Sequence, residues 1–129
     1  MHQTLDQQRA AFAWEVATQG MQHGGDSYRA LAKGAPALIM TSGLMPVLAF
    51  YRSKDAHHQR LLDHIIRGIS LEFWGPKNAG QKSFEDFMQR LQQADSETYR
   101  RATDSALETL KWIRQFVDAV EPAQGGNAR

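Results

Sequence analysis

The sequence predicts an all-α fold, a single-domain bundle of about five to seven helices, and three observations carry that expectation. Apolar residues recur at helical spacing in every segment long enough to hold an element. Glycines, prolines and capping residues fall between those segments. No alternating apolar–polar run of useful length argues for a strand. A chain of 129 residues fits one domain. At that size it can bury roughly two-thirds of its unfolded surface without a staple.

Residues 4–22 read as the first helix. Thr4 followed by Gln7 is a capping box, in which the hydroxyl satisfies an orphan amide. Leu5, Phe12, Ala13, Val16 and Ala17 form its stripe. Trp14 lies off that stripe, and half-burial over a neighbouring helix is expected for it. The run His23-Gly24-Gly25 ends the helix, because paired glycines lose too much backbone entropy to continue it. Asp26 or Ser27 caps the next helix, which carries Tyr28, Leu31 and Ala32. Pro36 disfavours the α conformation at Ala35, so a kink or restart is expected there. Ala37 to Met40 is a further helical piece.

Thr41-Ser42-Gly43-Leu44 then reads as a tight turn before a helix from Met45 to Ser53. Gly43 can take positive φ at little steric cost, and Pro46 suits the first turn of a helix. The apolar surface of this central stretch is expected from Leu31, Leu38, Ile39, Leu44, Val47, Leu48 and Phe50. Two helices this short and apolar cannot stand alone in water, so the rest of the chain should wrap them.

Asp55 opens the fourth element, residues 56–74, where Leu61, Ile65, Ile69 and Phe73 recur every four positions. Residues 75–80 are polar, with glycine at both ends, and read as a loop. Ser83 caps a short helix to Gln93 whose apolar face is Phe84, Phe87, Met88 and Leu91. The last helix runs over 95–120 on a stripe of Tyr99, Ala102, Ala106, Leu110, Ile113, Val117 and Val120, closed by Pro122. Residues 1–121 therefore make the domain, and 122–129 are expected to be a disordered polar tail.

Composition excludes several function classes. Fifteen basic against fourteen acidic residues leave the chain nearly neutral, so bulk charge does not announce a nucleic-acid binder. The absence of cysteine excludes disulfides and thiolate metal sites. No apolar run approaches the roughly 18 residues of a membrane span, and MHQTLDQQRA holds no signal-peptide core. A soluble cytoplasmic protein is expected. No nucleophile elbow, P-loop or dinucleotide fingerprint is present, so no enzyme activity, catalytic residue or cofactor is expected. Glu85, Asp86, Asp95 and Glu97 sit near helix starts, where the helix dipole favours them. His57, His58 and His64 share one helix, but their spacings are not the i, i+4 that lets two rings reach one ion. They read as solvated surface histidines rather than metal ligands.

Basic residues are the remaining candidates. Arg29 and Lys33 share a helix face, as do Arg60 and Arg67. Arg52 and Lys54 close the helix after the turn, and Arg100, Arg101, Lys111 and Arg114 decorate the last helix. If Arg29, Lys33, Arg52, Lys54 and Arg67 converged, they would form a phosphate-tracking patch that needs no base readout.

Residues Leu31, Ala32, Lys33, Pro36, Ala37, Leu38, Ile39, Thr41, Gly43, Leu44, Leu48, Ala49, Phe50, Ser53 and Lys54 form a pattern resembling the small subunit of the type III-B (Cmr) CRISPR effector complex. The likeness extends more loosely over the whole chain. It departs at Ser42, where asparagine is usual in that family, and at Met40, where a basic residue is frequent. The resemblance implies a non-catalytic helical subunit whose copies stack in the inner filament of an RNA-guided complex. Its implied partners are guide RNA, target RNA, the other Cmr subunits and copies of itself. Its implied RNA contacts are Arg29, Lys33, Arg52 and Lys54, to which face geometry adds Arg67. A helical protein-interaction module using Trp14, Trp112 or the Leu61/Ile65/Ile69 surface is the alternative.

Overall fold

The capping box forms as its spacing requires: Thr4 Oγ1 accepts from the Gln7 amide at 3.0 Å, and Gln7 Oε1 accepts from the Thr4 amide at 2.8 Å. It opens the first of five helices in a computed structural model that describes residues 3–74 and 83–120. The helices are α1 (Leu5–Ser42), α2 (Leu44–Arg52), α3 (Ala56–Trp74), α4 (Phe84–Gln93) and α5 (Ser96–Ala119), with no strand among the described residues. The expected loop at 75–80 and tail at 122–129 lie outside those residues.

The first helix has two limbs. Gly25, at φ 53 and ψ −132, leaves the helical region between them. The side-chain pairings give each limb its direction. Arg9 and Ser105 both reach Glu72, Phe12 lies near Gly68, which Thr109 also approaches, and Trp14 meets Phe116. The limb over 5–24 therefore runs parallel to α5 and antiparallel to α3. Arg29 and Lys33 meet Asp118, Arg114 reaches the Lys33 carbonyl, and the Met45 amide donates to Tyr99 Oη. The limb over 26–42 thus runs antiparallel to α5. The chain turns back on itself at Gly25, at the glycine pair that the sequence marks as a break.

Such a backbone is open to glycine and costly for other residues. Gly25→Ala is expected to lower stability by about 1–3 kcal/mol even though a Cβ there would meet nothing within 4 Å. A urea titration showing an unchanged midpoint would remove Gly25 as the determinant of the reversal.

Pro36 behaves differently from expectation. The helix continues through it, and Ala35 stays helical. A proline costs a helix interior about 3 kcal/mol through the lost hydrogen bond and ring crowding. Here Ala32, Ala35 and Ile39 are buried on either side of it, and that packing holds the limb helical. At Gly43 the break is real: φ is 95, its amide donates to the Ile39 carbonyl at 2.8 Å, and α2 restarts with Pro46 in its first turn.

The core of the central stretch also differs in its members. Ile39, Leu44, Val47 and Leu48 are buried as expected, joined by Tyr28 and Tyr51. Leu38 and Phe50, by contrast, are 42% and 48% exposed. In α2 the inward stripe is Leu44, Val47, Leu48 and Tyr51, at helical spacing, which turns Phe50 outward. Leu5 is exposed as well, and Trp14 is half-exposed with its ring edge-on to Phe116 at 5.1 Å. Leu61, Ile65 and Ile69 of α3 and Leu110, Ile113 and Val117 of α5 complete the core against Phe12, Val16 and Met21. Ser83 and Asp95 cap α4 and α5 through the amides of Asp86 and Thr98. No helix among the described residues is long and apolar enough to cross a membrane.

Candidate nucleic-acid interface

Arg29 and Lys33 lie one turn apart on the second limb of α1, on the side that meets the end of α5. Both reach Asp118: Lys33 Nζ is 2.6 Å from Oδ2, and Arg29 Nε is 3.2 Å from Oδ1. Arg29 also pairs with Asp26 and approaches the Val117 carbonyl. Arg114, from α5, donates to the Lys33 carbonyl at 3.2 Å and completes a group of three cations. The hydrogen bond from Lys33, with the charges of Lys33, Arg29 and Arg114, holds the Asp118 carboxyl below the usual carboxylate range.

The other three candidates have separate surroundings. Arg52 lies 4.9 Å over the Phe84 ring and 3.8 Å from Glu85. Lys54 lies 5.0 Å over the Phe50 ring. Arg67 is 3.6 Å from Asp63 and 5.6 Å over the Phe12 ring. The fold thus joins Arg29 and Lys33 through one carboxylate, while Arg52, Lys54 and Arg67 each have surroundings of their own. These pairs are all partly solvent-exposed, and exposed pairs are weakly held. A phosphate can compete with the carboxylates for such cations.

Arg114 is the cation that sequence reasoning left ungrouped. Its i, i+4 relation to Asp118 is legible in the sequence. The approach of Lys33, 81 residues earlier in the chain, is not.

The histidines are a correction. His64 is 2% exposed and sits in the core, with Nδ1 2.7 Å from Tyr28 Oη. Burial pushes its pKa down to about 3, and the charges of Arg67 and Arg60 act in the same direction. Leu61, Ile65 and Gly68, at i, i+4 and i+7, face inward, and His64, at i+3, lies in the same sector. His58 instead pairs with Asp55 at 2.8 Å. Among the described residues no group of three or more His, Cys, Asp or Glu could hold a metal ion.

A cleft of about 320 Å³ opens between the start of α1 and α3, lined by Leu5, Arg9, Phe12, Leu71 and Glu72. Its two charged groups are engaged with each other. Arg9 grips both oxygens of Glu72, and Ser105 donates to the same carboxylate at 2.8 Å.

A family model described as CRISPR-associated protein (Cas_Cmr5) matches residues 5–120, which takes in all five helices.

Proposed function

The chain belongs to the Cas_Cmr5 family, the small subunit of the type III-B Cmr complex, and from that membership we propose that it stacks in the inner filament and contacts guide and target RNA. The observation that supports RNA contact is the set of partly exposed cations Arg29, Lys33, Arg52, Lys54 and Arg67, which carry no base-reading geometry of their own. Their role is to track phosphates and position the strand. Cleavage falls to another subunit, and no catalytic residue is assigned here. Weak contacts in one copy add up along a filament through effective concentration.

The test is target-RNA binding by the reconstituted complex carrying all five cations changed to alanine. Affinity is expected to fall, with the log–log salt dependence shallower by roughly 0.7 per lost single-strand phosphate contact. An intact complex with unchanged affinity and salt dependence would overturn the RNA-contact reading. A second reading, a purely protein-binding module, draws on Leu38, Met40 and Trp14, of which Met40 is 75% exposed. Under it, Met40→Ser would release the subunit from the complex while the cation variants changed nothing.

A further inference from the structure

Phe50 is not explained by the core. The buried stripe of α2 is complete without it, yet a large aromatic ring stands 48% exposed beside that stripe. Its surroundings hold it in place. Ser53 Oγ donates to the Phe50 carbonyl at 2.7 Å, and the Ser53 amide donates to the same oxygen at 3.1 Å. His58 meets the ring edge-on, at a centroid distance of 6.2 Å and an interplanar angle of 88°, and Asp55 anchors His58 in turn. Lys54 covers the ring with its ammonium group 5.0 Å from the centroid. Among the described residues no carboxylate lies within ion-pair distance of Lys54.

We propose that Phe50 is a stacking platform for one unpaired base of bound RNA, with Lys54 leaving the ring to meet the neighbouring phosphate. The proposal rests on the RNA-contact reading above and assigns its binding mode at this position. Size argues for a base over a protein partner. One half-exposed ring is far smaller than the several hundred Å² of a protein-binding apolar patch, whereas a single base needs one ring face. Charge argues the same way, because the cation beside the ring has no carboxylate partner among the described residues and a phosphate follows every base. The ring is also pre-oriented, so little side-chain freedom is lost on binding. Stacking of this kind tolerates any base, in keeping with a subunit that must accept any guide.

The experiment uses the reconstituted complex with target RNA carrying 5-iodouridine, irradiated and mapped by mass spectrometry. A cross-link to Phe50 is expected, retained in Phe50→Trp and lost in Phe50→Leu. Phe50→Leu is further expected to weaken single-stranded RNA binding about 5- to 100-fold without altering its salt dependence. Lys54→Gln, in contrast, should make the salt dependence shallower. Circular dichroism of each variant serves as the control for folding. Cross-links that map elsewhere on this chain, with Phe50→Leu binding like the parent, would overturn the platform and leave the RNA-contact reading standing. Absence of any cross-link to the chain would overturn both.

Discussion

Gly20→Ala is expected to destabilise the protein severely, although the substitution improves helix propensity. Alanine is favoured over glycine in a helix by about 1 kcal/mol. Against that gain, a Cβ at position 20 would land inside the Tyr28 ring, which is fully buried. The ring has nowhere to go. Its hydroxyl is tied to His64 at 2.7 Å, and no part of the side chain reaches solvent. Overpacking a rigid core costs about 1–3 kcal/mol and more where nothing can shift, so the clash outweighs the propensity. The net loss is expected to exceed about 2 kcal/mol in urea denaturation. A double-mutant cycle with Tyr28→Leu isolates the cause: the pair should cost less than the sum of the singles by about 1–3 kcal/mol. Additive effects would place the damage elsewhere than the ring.

Mild acid is expected to weaken the protein through His64. An unfolded histidine takes up its proton near pH 6.5, whereas the buried ring does so only at about 3. Between those values the unfolded state binds one more proton than the folded state. Stability therefore falls as pH drops through that window, by about 1.4 kcal/mol per pH unit. Burial also pushes the Tyr28 hydroxyl far up, so the phenol remains protonated and the pair is one hydrogen bond between two neutral groups. Arg60 and Arg67 oppose a third positive charge at the site.

The lowered carboxyls of Asp55, Asp95 and Asp118 also weaken the fold in acid, but their unfolded values lie near 3.8, below most of the histidine window. Urea unfolding between about pH 6 and 4.5 thus reads His64 with little interference. The parent should lose about 2 kcal/mol across that interval, and His64→Gln, which can still bond Tyr28, should lose far less. A parent that is flat over this interval would mean that His64 is not held neutral in the core.

Much of this protein is legible in its sequence, because caps, turns and stripes are local. Thr4 with Gln7, Ser83, Asp95, Gly43 and Pro46 act within one helical turn, and each does what its spacing requires. The stripes of α3 and α5 likewise name most of their buried apolar residues in advance, with Phe73 and Tyr99 only partly buried, and the pattern from Leu31 to Lys54 points to the family that the match over 5–120 establishes. Other features were decided by contacts between residues far apart in the chain. The break at Gly24-Gly25 is visible in sequence, but that it folds one limb back along α5 shows only in contacts such as that of Lys33 with Asp118, 85 positions away. Pro36 stays helical because Ala32, Ala35 and Ile39 are buried around it. Phe50 points outward because the opposite face of α2 is already full, and His64 points inward because Tyr28, lodged against Gly20 and Gly24, gives it a hydrogen-bond partner in the core. Periodicity states which residues share a helix face, but which face turns inward, and which cation meets which carboxylate, is settled by what the rest of the chain packs against it.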